Sequence, residues 1–181
     1  GAHSVTPGDP NQWSLLFTNT GSGFLTVPSV VDVLDDHLSW DGETPTFTTS
    51  SGGLLSTDVQ TSFDAATGTI SFAWPEGGQR MAPGEKFTIS IGIVLEAGLV
   101  GGQRATNQFT VETAQTLTAC TNTSGNGQGT LAGLAANECG TSNYVQPVLG
   151  ASLLTTKAVK GDVVDRSVSG ARNITTPGGP C

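Results

Sequence analysis

Three carboxylates, Asp32, Asp35 and Asp36, crowd the stretch V-V-D-V-L-D-D-H, with Asn19 a short way upstream. Carboxylates beside an amide or carbonyl oxygen are the donors a calcium ion takes. The spacing is not that of a calcium loop, because no D-x-[DN]-x-[DN]-G pattern is present. These acids are calcium candidates by residue type alone, and no metal is expected. The architectural reading is that Asn19 closes a turn through its side chain and that Asp32 accepts hydrogen bonds from backbone N–H groups.

Catalytic chemistry has little to draw on. His3 and His37 are the only histidines, and no G-x-S-x-G accompanies them. No carboxylate pair stands out from the acidic background as a glycosidase pair would. No Gly-rich loop opens a helix, so phosphate binding has no support. An enzyme is not expected, and neither is a cofactor. The three tryptophans divide by context. Trp13 and Trp74 alternate with apolar residues and read as core. Trp40 stands in S-W-D-G-E, where its ring with Asp41 and Glu43 could receive a sugar.

The composition limits partners and compartment. Seven Lys plus Arg face fifteen Asp plus Glu, a formal charge of −8. Such a surface repels phosphate backbones and anionic lipid, so neither nucleic acid nor membrane insertion is expected. No apolar run reaches the length of a transmembrane helix. Charged residues make up only 12% and Gly is abundant, which reads as a secreted, loop-rich β protein. The opening Gly1-Ala2-His3 reads as a mature terminus with any leader already absent. Cys120 and Cys139 bracket T-N-T-S-G-N-G-Q-G-T-L-A-G-L-A-A-N-E. A disulfide between them would restrain this soft segment and contribute about 3 kcal/mol by loop entropy. Cys181 is left over, and the other pairings stay open.

Period-two alternation dominates the elements that must position these groups. W-S-L-L-F-T (13–18), G-T-I-S-F-A-W (68–74), K-F-T-I-S-I-G-I-V-L-E (86–96) and A-T-N-Q-F-T-V-E-T (105–113) read as strands. L-T-V-P-S-V-V-D-V-L (25–34) is a strand interrupted at Pro28 by a bend, bulge or edge. T-P-T-F-T-T-S (44–50) and S-T-D-V-Q-T-S-F-D (56–64) are more polar strands, and 75–86 reads as a loop. Residues 130–138 form the one plausible short helix, and 142–159 return to extended character. Many short strands with almost no helix argue for an antiparallel sandwich. A barrel is the competing all-β solution.

Four motifs in order carry a resemblance. These are Q-W-S-L-L-F-T-N-T-G, V-V-D-V-L, A-P-G-E before the long strand, and A-T-N-Q-F-T-V. Over residues 5–113 the chain resembles the "conserved repeat" modules of bacterial surface proteins. Three departures stand out: Asp35 replaces a usual Pro, Gln108-Phe109 follow Asn107 where a small residue is common, and 114–159 is longer than the family's simple ending. The resemblance implies an immunoglobulin-like antiparallel β-sandwich, to which the cysteine spacing adds a disulfide-bracketed insertion at 114–142. It implies a module over 1–159, with 160–181 a linker or the start of a following module. It also implies a non-catalytic spacer or presenter in an extracellular stalk at the bacterial cell surface or cell wall, with neighbouring modules of the same chain as partners. The alternative is a ligand-binding module that takes a host protein or glycan through loops near Trp40 and 114–142. Modules of such surface proteins often carry a Lys–Asn amide cross-link assisted by an acid. Burial supplies the neutral amine by depressing its pKa, and keeps the acid protonated. Lys157 is the candidate amine, Asn107 or Asn143 the carboxamide, and Asp32 the acid.

Overall fold

A computed structural model describes residues 4–5, 8, 10–51, 59–75, 77–96, 103–121 and 131–147. They form the strands β1 (Ser4–Val5), β2 (Pro10–Thr18), β3 (Leu25–Val27), β4 (Ser29–Leu34), β5 (Leu38–Trp40) and β6 (Thr46–Thr49). There follow β7 (Gln60–Asp64), β8 (Thr69–Ala73), β9 (Gln79–Met81), β10 (Lys86–Leu95), β11 (Ala105–Glu112) and β12 (Glu138–Pro147). All belong to the first of two units in the chain, Gly1–Leu149.

One sheet has the order β1-β12-β11-β4-β8-β7. In the other, β10 is central, with β2 along one side and β5 and β6 along the other. Every pairing is antiparallel except that of β1 with β12. The fold is an all-β, immunoglobulin-like antiparallel sandwich, and alternation explains it residue by residue. On β10, Phe87, Ile89, Ile91, Ile93 and Leu95 are buried while Lys86, Thr88, Ser90, Gly92 and Val94 face outward. The buried row meets Val30 and Leu34 of β4, Ile70 and Phe72 of β8 and Val111 of β11 in one core. Phe47 of β6 packs edge-on against Phe72 of the opposite sheet, with ring centroids 5.8 Å apart, and this closes the two layers on each other.

Pro28 acts as a bend. It divides the 25–34 run so that β4 joins the large sheet while β3 pairs with β9 in a separate ribbon. The ribbon corrects the expectation for 75–86, which is a loop only in part: Gln79–Met81 pair with Leu25–Val27. The expected helix is absent over 131–137, which are bends and turns. That segment is tied down from outside instead. Thr113 N–H and Oγ1 both donate to Asn137 O, and Asn137 Nδ2 returns a 3.0 Å bond to Thr113 O. Cys120 and Cys139 form the disulfide, with Cα atoms 5.4 Å apart. Cys181 lies outside the described residues.

Candidate functional site

On β4 the residues Val30, Asp32 and Leu34 are buried and the ones between are not. Alternation therefore drives a carboxylate into the core between two aliphatic side chains. On β11 the same rule buries Ala105, Asn107 and Val111. The strands pair with Asn107 opposite Leu34 and Phe109 opposite Asp32. Asp32 and Asn107 are thus diagonal neighbours on the core face, a spacing polar side chains can bridge. Asn107 Nδ2 donates to Asp32 Oδ2 at 3.2 Å.

The environment sets the protonation of the acid. Asp32 is fully buried. Loss of solvent pushes its pKa from 3.8 up to about 8, and the hydrogen bond from Asn107 offsets only part of the rise. The acid is therefore largely protonated at neutral pH. One hydrogen bond does not satisfy the pair. Asp32 Oδ1 and Asn107 Oδ1 are buried without a partner.

The other predicted residues fall in distinct places. Asn143 of β12 stands directly opposite Asn107. Its own Oδ1 accepts from Tyr144 N–H at 2.8 Å. Lys157 lies outside the described residues. Lys86 is described, but its outward position on β10 turns it away from the core. The three acids do not converge. Asp35 accepts from the backbone N–H of His37 and pairs with its ring, Nδ1 lying 2.8 Å away. Burial works to raise Asp35, and these contacts outweigh it, holding the carboxyl below its ordinary value. Asp36 is exposed. Among the described residues no group of three or more His, Cys, Asp or Glu could hold a metal ion.

Trp40 ends β5 half-buried, its ring edge-on to Phe63. Its Nε1–H donates to Glu43 O, and Asp41 Oδ1 accepts from Glu43 N–H. The turn thus uses its own polar groups to hold its shape. Asn19 closes a turn as expected. Its Oδ1 accepts from Gly21 N–H, and its Nδ2 donates to the carbonyls of Gly23 and Met81.

A groove of about 670 Å³ runs between β2 on one side and β11, β12 and the disulfide on the other. Sequence reasoning missed it. Trp13 faces the groove and Asn107 opens onto it from the other wall. Alternation identifies Trp13 as core but carries no information on which sheet edge lies open.

Neither a protein-family model nor a curated protein sequence matches the chain. Solved structures do. An aspartate-to-alanine variant of BcpA, the major pilin subunit of Bacillus cereus, is similar over 81% of this chain and 37% of its own, with 13% identity and a TM-score of 0.54. The collagen-binding domain of a Staphylococcus aureus adhesin is similar over 79% of this chain and 93% of its own, with 14% identity and a TM-score of 0.48. A C-terminal fragment of GBS80, a major pilin of Streptococcus agalactiae, covers 62% and 44%, with 15% identity and a TM-score of 0.47. The chain shares its β-sandwich fold with the pilin variant. It spans about a third of the length of the BcpA chains it matches.

Proposed function

We propose that the chain is a non-catalytic extracellular module of a bacterial cell-surface protein, which spaces or presents neighbouring modules in a stalk. The Asp32–Asn107 pair supports this reading best. It ties β4 to β11 at the centre of the large sheet, and both side chains are buried. A buried acid beside a carboxamide suits a covalent clamp. In that clamp a lysine amine attacks Asn107 Cγ. A C–N amide bond forms, the carboxamide nitrogen leaves as ammonia, and Asp32 relays the proton from amine to leaving group. Asn107 fits the role better than Asn143, because Asn107 touches the acid. Lys157 remains the candidate amine. The module runs over 1–159, with 160–181 as linker or the start of the next unit.

Intact mass before and after reduction tests the clamp. The expected mass lacks one ammonia, and Asp32→Ala and Asn107→Ala each restore it. A full mass in the unaltered chain overturns the cross-link. A second reading, a host-protein or glycan receptor using loops near Trp40 and 114–142, draws support from the groove, whose wall includes Leu117, Ala119, Cys120 and Thr121. Glycan-array and matrix-protein binding separate the two. Consistent absence of binding favours the spacer.

A further inference from the structure

The groove beside β2 runs along a strand edge, not over a sheet face. Its wall includes every residue from Trp13 to Thr18. Trp13, Leu15 and Phe17 point one way from the strand and Ser14, Leu16 and Thr18 the other, so only the backbone edge touches the groove continuously. At about 3.3 Å per residue this edge measures roughly 20 Å. β2 is the last strand of its sheet on that side among the described residues. Leu16, on the outer face of this strand, is 53% exposed.

Two residues that line the groove each hold a buried, unsatisfied side-chain atom, and the two atoms differ in sign. Trp13 is 9% exposed, and its Nε1–H lacks an acceptor. Asn107 is 3% exposed, and its Oδ1 lacks a donor. A buried polar group without a partner is costly, so each atom favours a group that completes it. A peptide backbone offers a carbonyl and an N–H in alternation and can satisfy both. The electrostatics narrow the choice further. In a chain of net charge −8, the groove walls contain no Asp or Glu and one Lys, Lys86, at the Thr18 end.

We propose that this groove is a strand-addition site for an extended segment of another protein chain. The segment has alternating apolar side chains and a carboxylate near Lys86. Its backbone pairs with the outer edge of β2, and one of its carbonyls accepts from Trp13 Nε1–H. Apolar side chains enter between Leu15, Phe109 and Val111. The site goes beyond the spacer reading and is independent of the cross-link, because Asn107 Oδ1 survives amide formation as an acceptor.

The test is an NMR titration of the full ¹⁵N-labelled chain with acetyl-Thr-Val-Thr-Val-Thr-Val-Glu-amide, repeated with the same peptide N-methylated at alternate residues. The expected result is saturable movement of the Trp13 indole N–H and of the amides of residues 13–18. N-methylation should weaken binding by about tenfold or more, since it removes the pairing N–H groups. Lys86→Glu should weaken it severalfold without altering the melting temperature. No saturable change at Trp13 overturns the proposal, as does equal binding of the N-methylated peptide. Self-association in sedimentation velocity that is lost in Leu16→Lys assigns the groove to a second copy and also overturns it.

Discussion

Asn19 and Met81 lie 62 positions apart in sequence, and the carboxamide of Asn19 donates to the Met81 carbonyl at 3.2 Å in the protein interior. The same residue joins two turns. Its backbone N–H donates to Glu85 O, and its carbonyl accepts from Gly84 N–H at 2.8 Å. Gly84 makes this possible with φ of 78°, a left-handed conformation that favours glycine. The N-T-G and A-P-G-E motifs therefore form one structural node, where the start of β10 is locked against the end of β2.

Asn19→Ala tests the node. The change strands the Met81 carbonyl at a buried site and removes the part-buried bonds to the Gly23 carbonyl and the Gly21 N–H. Such losses cost about 1–3 kcal/mol each when water cannot replace the partner. The expected destabilisation is about 3 kcal/mol, read as a lower urea midpoint with an unchanged slope. Asn19→Asp should fall between the two, because it keeps the acceptor for Gly21 and loses the donors. A loss below about 0.5 kcal/mol, the range of an ordinary surface change, would show that the node is not structural.

Much of the fold was legible because β structure repeats with period two. The alternation on β10 identified its core face without any tertiary information, and it placed Trp13 and Trp74 inside. Asp32 and Asn107 were legible as residue types. Their contact was not, because register between β4 and β11 is a long-range property that no local pattern encodes. The small ribbon of β3 and β9 escaped for the same reason. Gln79–Met81 are too short and polar to announce a strand, and only the bend at Pro28 brings β3 to them. The expected helix failed because small apolar residues in 130–138 satisfy helix propensity, which tertiary hydrogen bonds to Thr113 and the disulfide override.

Asp32 gives stability a pH dependence of known sign. Its folded pKa, about 8, lies above its ordinary 3.8. Between those values the folded chain holds a proton that the unfolded chain has released. Stability from this group is therefore complete below about pH 4, falls as pH rises toward 8, and levels off above it. Asp35 and Glu85 are shifted downward and act only at acid pH. Asp32→Asn removes the titration. The variant should gain on the parent as pH rises from 5 to 8.5 in urea unfolding. A stability difference that stays constant across that range would contradict the buried protonated acid.

The Cys120–Cys139 disulfide anchors the insertion to β12 and forms part of the groove wall. Cys139→Ser should cost about 3 kcal/mol by loop entropy. Hydrogen exchange should rise first at Leu117 and Leu131, whose amides donate to Ala136 and Gly140 across the base of the loop. Protection of Ile89 and Ile91 should drop only by the global loss. Unchanged exchange at Leu117 would mean that the Thr113–Asn137 bonds hold the loop without the disulfide.

Gly92 lies on the outward face of β10, and a Cβ there would collide with the carboxylate of Asp41. The backbone φ is not the obstacle, since Gly92 is not among the glycines with positive φ. The obstacle is a side chain resting on the strand while its Oδ1 holds Glu43 N–H at 2.9 Å. Glu43 in turn supplies the carbonyl that Trp40 Nε1–H uses. Gly92→Ala should therefore displace Asp41, release Glu43 and loosen the indole, at a cost of about 1 kcal/mol for the lost hydrogen bonds. Fluorescence reads this in a background where Trp13 and Trp74 are both Phe, leaving Trp40 as the reporter. The expected change is a red-shifted emission with easier quenching by iodide. If Gly92→Ala leaves emission and quenching as they were, Asp41 can vacate the site without disturbing Trp40, and the Asp41–Glu43–Trp40 chain does not set the shape of the turn.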